Sequence, residues 1–119
     1  MINHVSFQGR FVKDPEVFTS QNRKKFAKFT IAWNESTKQD VKKCFLNCVS
    51  FDSSAEFVKK YFKKGQMAVV EGKLISNSYN DKEGNLRTNT ELIVNQIHFC
   101  DVGKKENKYE EDDEVTPFI

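Results

Sequence analysis

The sequence predicts an all-β barrel of five strands with one helix between the third and fourth, followed by an acidic C-terminal tail. Three observations predict it. Apolar and polar residues alternate with period two in several segments between residues 5 and 99, one stretch near residues 53–62 has helical spacing instead, and composition changes after residue 100. Residues 1–100 hold 16 basic and 10 acidic side chains, a charge of +6, whereas residues 101–119 hold 3 and 7, a charge of −4. The net +2 hides that split. A basic body attracts a polyanion that an acidic tail repels.

Val5, Phe7, Gly9 and Phe11 alternate with Ser6, Gln8 and Arg10 as the first strand, which Asp14-Pro15 stops because proline cannot donate to a ladder. Lys25 to Asn34 alternates again, with Phe29, Ile31 and Trp33 on one face and Lys28, Thr30 and Ala32 on the other. The polar run Glu35 to Lys43 leads to a third strand, Cys44 to Phe51. Ser53-Ser54-Ala55-Glu56 has the pattern of a capping box, and Phe57, Val58, Tyr61 and Phe62 follow on one helical side. Lys59, Lys60, Lys63 and Lys64 lie elsewhere around that helix, with Gly65 as its expected left-handed terminator. Met67 to Ser78 is the fourth strand, where Gly72 marks a bend or bulge. Tyr79 to Arg87 is a polar hairpin loop, and Thr88 to Phe99 the fifth strand. Three strands, a helix and two strands is the order of an OB-fold, a five-stranded Greek-key barrel.

Three segments follow: residues 1–100 as the barrel, 101–111 as a short charged linker and 112–119 as a tip. Glu110 to Glu114 are five consecutive acids, so the tail is expected to be disordered when alone. It ends Val115-Thr116-Pro117-Phe118-Ile119, and an acidic run before an aromatic end suits a peptide docking into a partner's basic-rimmed apolar pocket.

The composition excludes several classes. Mean hydropathy is −0.65, and no run approaches the roughly 20 apolar residues of a spanning helix. The N-terminus has neither a charged lead nor an apolar signal core, so a soluble, cytoplasmic (nucleoid-associated) protein is expected. Cys44, Cys48 and Cys100 make an odd count, against a secreted disulfide scaffold. Cys44 and Cys48 would stand about 13 Å apart on a strand, too far to share a metal, and are expected to be small buried thiols. His4 and His98 are lone residues, and Gly72-Lys73-Leu74 lacks the hydroxyl of a phosphate loop. No catalytic residue, metal or cofactor is expected.

Aromatic content and basic charge remain. There are 11 Phe, 3 Tyr and 1 Trp. On the third strand the odd positions are Phe45, Asn47, Val49 and Phe51, and the even ones Cys44, Leu46, Cys48 and Ser50. Hydrophobicity favours burying the odd set; the alternative exposes Phe45 and Phe51 as platforms for unstacked bases. Periodicity does not choose. Arg10, Lys13, Lys28, Lys73 and Arg87, with Arg23-Lys24-Lys25, are candidate phosphate contacts.

The chain resembles bacterial single-stranded DNA-binding proteins over nearly its whole length. Gly9-Arg10-Phe11-Val12-Lys13-Asp14-Pro15-Glu16, Phe29-Thr30-Ile31-Ala32 and Phe45-Leu46-Asn47-Cys48-Val49-Ser50-Phe51 carry the resemblance. So do Tyr61-Phe62-Lys63-Lys64-Gly65, Val70-Glu71-Gly72-Lys73-Leu74, and the tail's Asp112-Asp113-Glu114 with Pro117-Phe118. The resemblance implies an OB-fold assembled as a homotetramer and single-stranded DNA wrapped over aromatic and basic surface. It also implies a tip that recruits replication, recombination and repair proteins. By position, Phe45, Phe51 and Tyr79 match the family's stacking aromatics and Asn47 a contact residue. Thr37 stands where many relatives have an aromatic; Trp33 either substitutes for it or packs in the core or between subunits. The linker is short, and Ile119 follows the Phe at which the family normally ends. A protein-binding OB module, a cold-shock-like RNA barrel and a small nuclease are the alternatives; the basic body and strand aromatics weigh against the first, the acidic tip against the second, and the lack of a carboxylate cluster suited to metal against the third.

Overall fold

The computed structural model describes residues 1–100. Its strands are β1 (Val5–Phe11), β2 (Glu16–Thr19), β3 (Lys25–Ser36), β4 (Val41–Phe51), β5 (Met67–Asn80) and β6 (Leu86–Phe99), with the single helix α1 (Asp52–Tyr61) between β4 and β5. The sheet runs β1-β5-β6-β4-β3-β2, and β1 also pairs with β3, which closes a five-stranded barrel from which β2 extends. This is the expected OB-fold with one added strand. Asp14-Pro15 does break the first run, but the chain re-enters as Glu16–Thr19 against Lys25–Lys28. The turn between them is held by the Lys24 amide donating to Ser20 Oγ and by Ser20–Lys24 backbone pairing.

Barrel closure depends on two close approaches. A Cβ on Gly9 would land inside contact of the Ala32 carbonyl, where β1 crosses β3 at Arg10↔Ala32 and Phe11↔Ile31. At Gly72 a Cβ would run into the Ile93 carbonyl, and the β5–β6 register shifts between Glu71 and Gly72, the bulge the sequence predicts. β4 and β6 meet in parallel at Cys48↔Leu92 and Val49↔Ile93; the other ladders are antiparallel.

The core is built on three near-parallel rings. Phe11 stacks on Phe29 at 5.0 Å and on Phe62 at 5.2 Å, with Ile31, Cys48, Val58, Val70, Leu92 and Val94 around them. The helix packs on β2, β3 and β4 and buries Ala55 and Val58, with Phe62 just past its end.

The helix termini differ from the sequence expectation. No capping box forms: Phe51 occupies the N-cap without a side-chain hydrogen bond, and the helix begins at Asp52. Asp52 adopts φ +55°, a left-handed conformation that aspartate tolerates better than most residues, and so turns the chain directly out of β4. Ser53 therefore lies inside the first turn. Glu56 instead accepts from Lys25 Nζ at 2.8 Å, and that contact holds its carboxyl below the usual range. Gly65 does not end the helix, which stops at Tyr61 with Phe62 extended; it lies in the following Lys63–Gln66 turn, its amide donating to the Phe11 carbonyl. Of the helix aromatics, Phe57 and Tyr61 are partly exposed and lean on Phe99.

The cysteines also divide. Cys48 is buried, which pushes its thiol up to about 12 and leaves it unreactive at neutral pH. Cys44, expected to be buried, is exposed, because it pairs with Trp33 beyond the part of β3 that β1 covers. The charged linker at 101–111 and the tip at 112–119 lie outside the described residues.

Candidate nucleic-acid interface

Strand β4 settles which of its faces is inside. Cys48 and Ser50 are sealed in the barrel and Leu46 packs against the core, whereas Phe45 is 60% and Phe51 46% exposed. The more apolar set thus faces outward, except Val49, which lies beside Ile93 of β6 and Lys28 of β3 and is buried there. Ser50 is inward despite its hydroxyl, which has no hydrogen-bond partner among the described residues. Its register partner Ala27 is equally sealed, and the two small side chains admit the close approach of α1.

The outer face of β3 and β4 reads as paired rows. Ala32 lies opposite Phe45, Thr30 opposite Asn47, Lys28 opposite Val49 and Phe26 opposite Phe51. Thr30 Oγ1 donates to Asn47 Oδ1 at 3.0 Å, which fixes the amide on this face and leaves its NH₂ as the outward donor. Arg10 extends the Phe45 row, since it pairs with Ala32 from the other side. Its guanidinium donates to the Gly65 carbonyl at 2.9 Å. Phe45, Asn47, Phe51, Lys28 and Arg10 are therefore gathered on one surface.

Other candidates lie apart. Trp33 is 36% exposed, so it is not core; it leaves the β3–β4 ribbon on the opposite side from Phe45 and lines a depression with Gln8, Arg10, Asn34 and Cys44. Tyr79 is 55% exposed far along the β5–β6 hairpin, whose strands run past the predicted loop limits to Asn80 and Leu86. Arg87 holds the tip of that hairpin, with Nε 2.9 Å from Asp81 Oδ2. That guanidinium, aided by the Asn85 amide, keeps the Asp81 carboxyl below its ordinary range. Thr37 ties the β3–β4 turn: its hydroxyl accepts from the Gln39 and Asp40 amides.

The cations are engaged weakly. Lys13 lies 3.8 Å from Glu16, both exposed, and such a pair contributes about 0–1 kcal/mol, while Lys28 lies 4.0 Å from Glu91, whose side chain is largely buried. A phosphate can displace them. Lys73 is exposed on β5. Among the described residues no three His, Cys, Asp or Glu side chains are grouped to hold a metal, and no helix is long and apolar enough to cross a membrane. Composition missed two members of this surface, Phe18 and Phe26. Phe26 lies beside Phe51 and Phe18 beside Phe26, in the hairpin that the alternation pattern did not resolve.

Comparison with known proteins places the chain among relatives. The model of the single-strand binding protein family matches residues 2–100. A single-stranded DNA-binding protein 1 of Staphylococcus aureus strain Mu50 is 36% identical over 104 residues, covering 85% of this chain and 67% of the relative. A single-stranded DNA-binding protein 2 of S. aureus strain COL is 35% identical over 111 residues, 91% of this chain and 79% of that one. A Clostridium perfringens single-stranded DNA-binding protein is 33% identical over 103 residues, 86% and 68% of the two chains. Among solved structures, a Plasmodium falciparum SSB complex with ssDNA superposes with a TM-score of 0.78 at 24% identity, covering 85% of this chain and 96% of that one.

Proposed function

The chain belongs to the single-strand binding protein family, and from that premise we propose that it binds single-stranded DNA without regard to sequence, on the outer face of β3 and β4. One observation carries this reading: Phe45 and Phe51 stand open on the same face as Asn47, while the alternate residues of β4 are packed into the barrel. Exposed phenyl faces accept any base, at about 1–3 kcal/mol per stacked base. Asn47 offers its NH₂ to a base edge or phosphate, and Arg10, Lys13, Lys28 and Lys73 neutralise the backbone. Tyr79 extends the path along the hairpin. Arg87 contributes charge from a position already fixed by Asp81, and Trp33 suits packing between subunits better than the stacking face. The role is binding, without catalysis, in the cytoplasm.

The division of labour continues into the tail. Asp112, Asp113 and Glu114 steer the tip toward basic surfaces of replication, recombination and repair proteins, and Pro117-Phe118 anchors it there. Ile119 removes the terminal carboxylate from the Phe, which weakens any pocket that reads both. The barrels assemble as a homotetramer, so several tips act on one strand.

A salt series tests the reading. Log affinity for oligo-dT is expected to fall by about 0.7 per phosphate contacted for each unit of log salt. Deleting Asp113 to Ile119 should leave that affinity equal or higher and abolish capture of a tip-binding partner. Absence of oligo-dT binding at low salt, or its loss on deletion of the tip, contradicts the proposal.

A further inference from the structure

Phe51 is not the end of the aromatic surface. Phe26 is its register partner on β3, and Phe18 is the register partner of Phe26 on β2, so three phenylalanines form one row across three neighbouring strands. The rings follow one another at 6.4 Å and then 5.4 Å, the second pair nearly stacked with 27° between planes. Phe26 is half-buried between its neighbours, and Phe18 closes the row at 42% exposed.

We propose that Phe26 and Phe18 carry the base-stacking track on from Phe51, so that the β2–β3 hairpin holds a further nucleobase of the bound strand against Phe18. The inference rests on the stacking role given above to Phe45 and Phe51. Hairpin stability alone does not account for the row. A cross-strand aromatic pair contributes about 0.2–1 kcal/mol, and β2 is a four-residue strand at the sheet edge, where an open apolar ring invites association. A base covering the ring removes that liability. Charge at the row suits a polyanion as well. Lys28 lies two residues from Phe26 on the same face, and Lys13 precedes β2; Lys13 meets Glu16 in a long, exposed contact, and Lys28, itself exposed, lies 4.0 Å from the largely buried Glu91. Glu16, the one acid facing this row from β2, lies opposite Lys28, which offsets it.

The test measures anisotropy of labelled oligo-dT of increasing length with the full chain and the variants Phe18→Ala, Phe18→Leu and Phe51→Ala. Phe18→Leu keeps an apolar contact for Phe26 without a π-face, so it decides the matter if Phe18→Ala lowers the melting temperature. Both Phe18 variants are expected to lose about five- to tenfold in affinity for long oligomers. Neither should change binding of oligomers too short to pass Phe51, and Phe51→Ala should weaken both. In Phe18→Trp, indole fluorescence should be quenched only by the longer oligomers. If Phe18→Leu binds every length like the unsubstituted chain while Phe51→Ala is weakened, the track ends at Phe51 and this inference is overturned alone. If Phe51→Ala is also unaffected, the stacking reading falls with it.

Discussion

Phe11, Phe29 and Phe62 stack on one another inside the barrel, whereas Phe45 and Phe51 stand open on its outside with Phe26 and Phe18 continuing from them. Residue type does not separate the two groups. Strand parity does: Phe29 and Phe26 lie three residues apart on β3 and point to opposite faces. An inner ring is in contact on both sides, so its removal leaves a void. An outer ring keeps one side for something that is not protein. Inner rings therefore act on stability and outer rings on binding.

The largest effect should come from the inner group. Phe62→Ala is expected to cost about 3–5 kcal/mol, because a fully buried ring leaves a cavity that the stacked partner Phe11 cannot fill. Urea unfolding measures it; a loss under about 1 kcal/mol would mean that the barrel collapses around the gap. A smaller effect of opposite sign is expected at Ser50, whose sealed hydroxyl lacks a partner. Ser50→Ala should be neutral or stabilise by up to about 1 kcal/mol, and clear destabilisation would show the hydroxyl to be paired. The smallest effect is local to the β5–β6 hairpin. The Asp81 carboxyl is held low chiefly by Arg87, so its contribution is complete above the unfolded value of about 3.9 and is lost as pH falls through the lower folded value. Protection of the Glu83 and Asn85 amides, taken relative to their intrinsic exchange rates, should fall below about pH 4, and the same pH-dependent fall in Asp81→Asn would remove Asp81 from the account.

The same two groups explain what the sequence could and could not disclose. The inward set Phe7, Gly9 and Phe11 of β1, the pair Phe29 and Ile31 of β3, the bulge at Gly72 and the helix position follow from alternation and punctuation. β4 does not, because burial there runs against hydrophobicity: Ser50 is inside and Phe45 outside, and only resemblance to a family pointed that way. β2 is not legible because Asp14-Pro15 reads as a stop and the lysine-rich turn as a loop, which leaves Phe18 without a strand and Phe26, inside a predicted strand, without its aromatic neighbour. The capping box failed for a local reason, the left-handed Asp52, which starts the helix earlier than Ser53 could cap it. Ion pairs such as Arg87 with Asp81 depend on a turn geometry that spacing does not specify.

The central claim is that Phe51 serves a base and not the barrel. Phe51→Ala, measured at one salt concentration for both oligo-dT affinity and melting temperature, addresses it most directly. The account predicts a loss of about 5- to 100-fold in affinity with the melting temperature nearly unchanged. Unchanged affinity together with a large drop in melting temperature would contradict it.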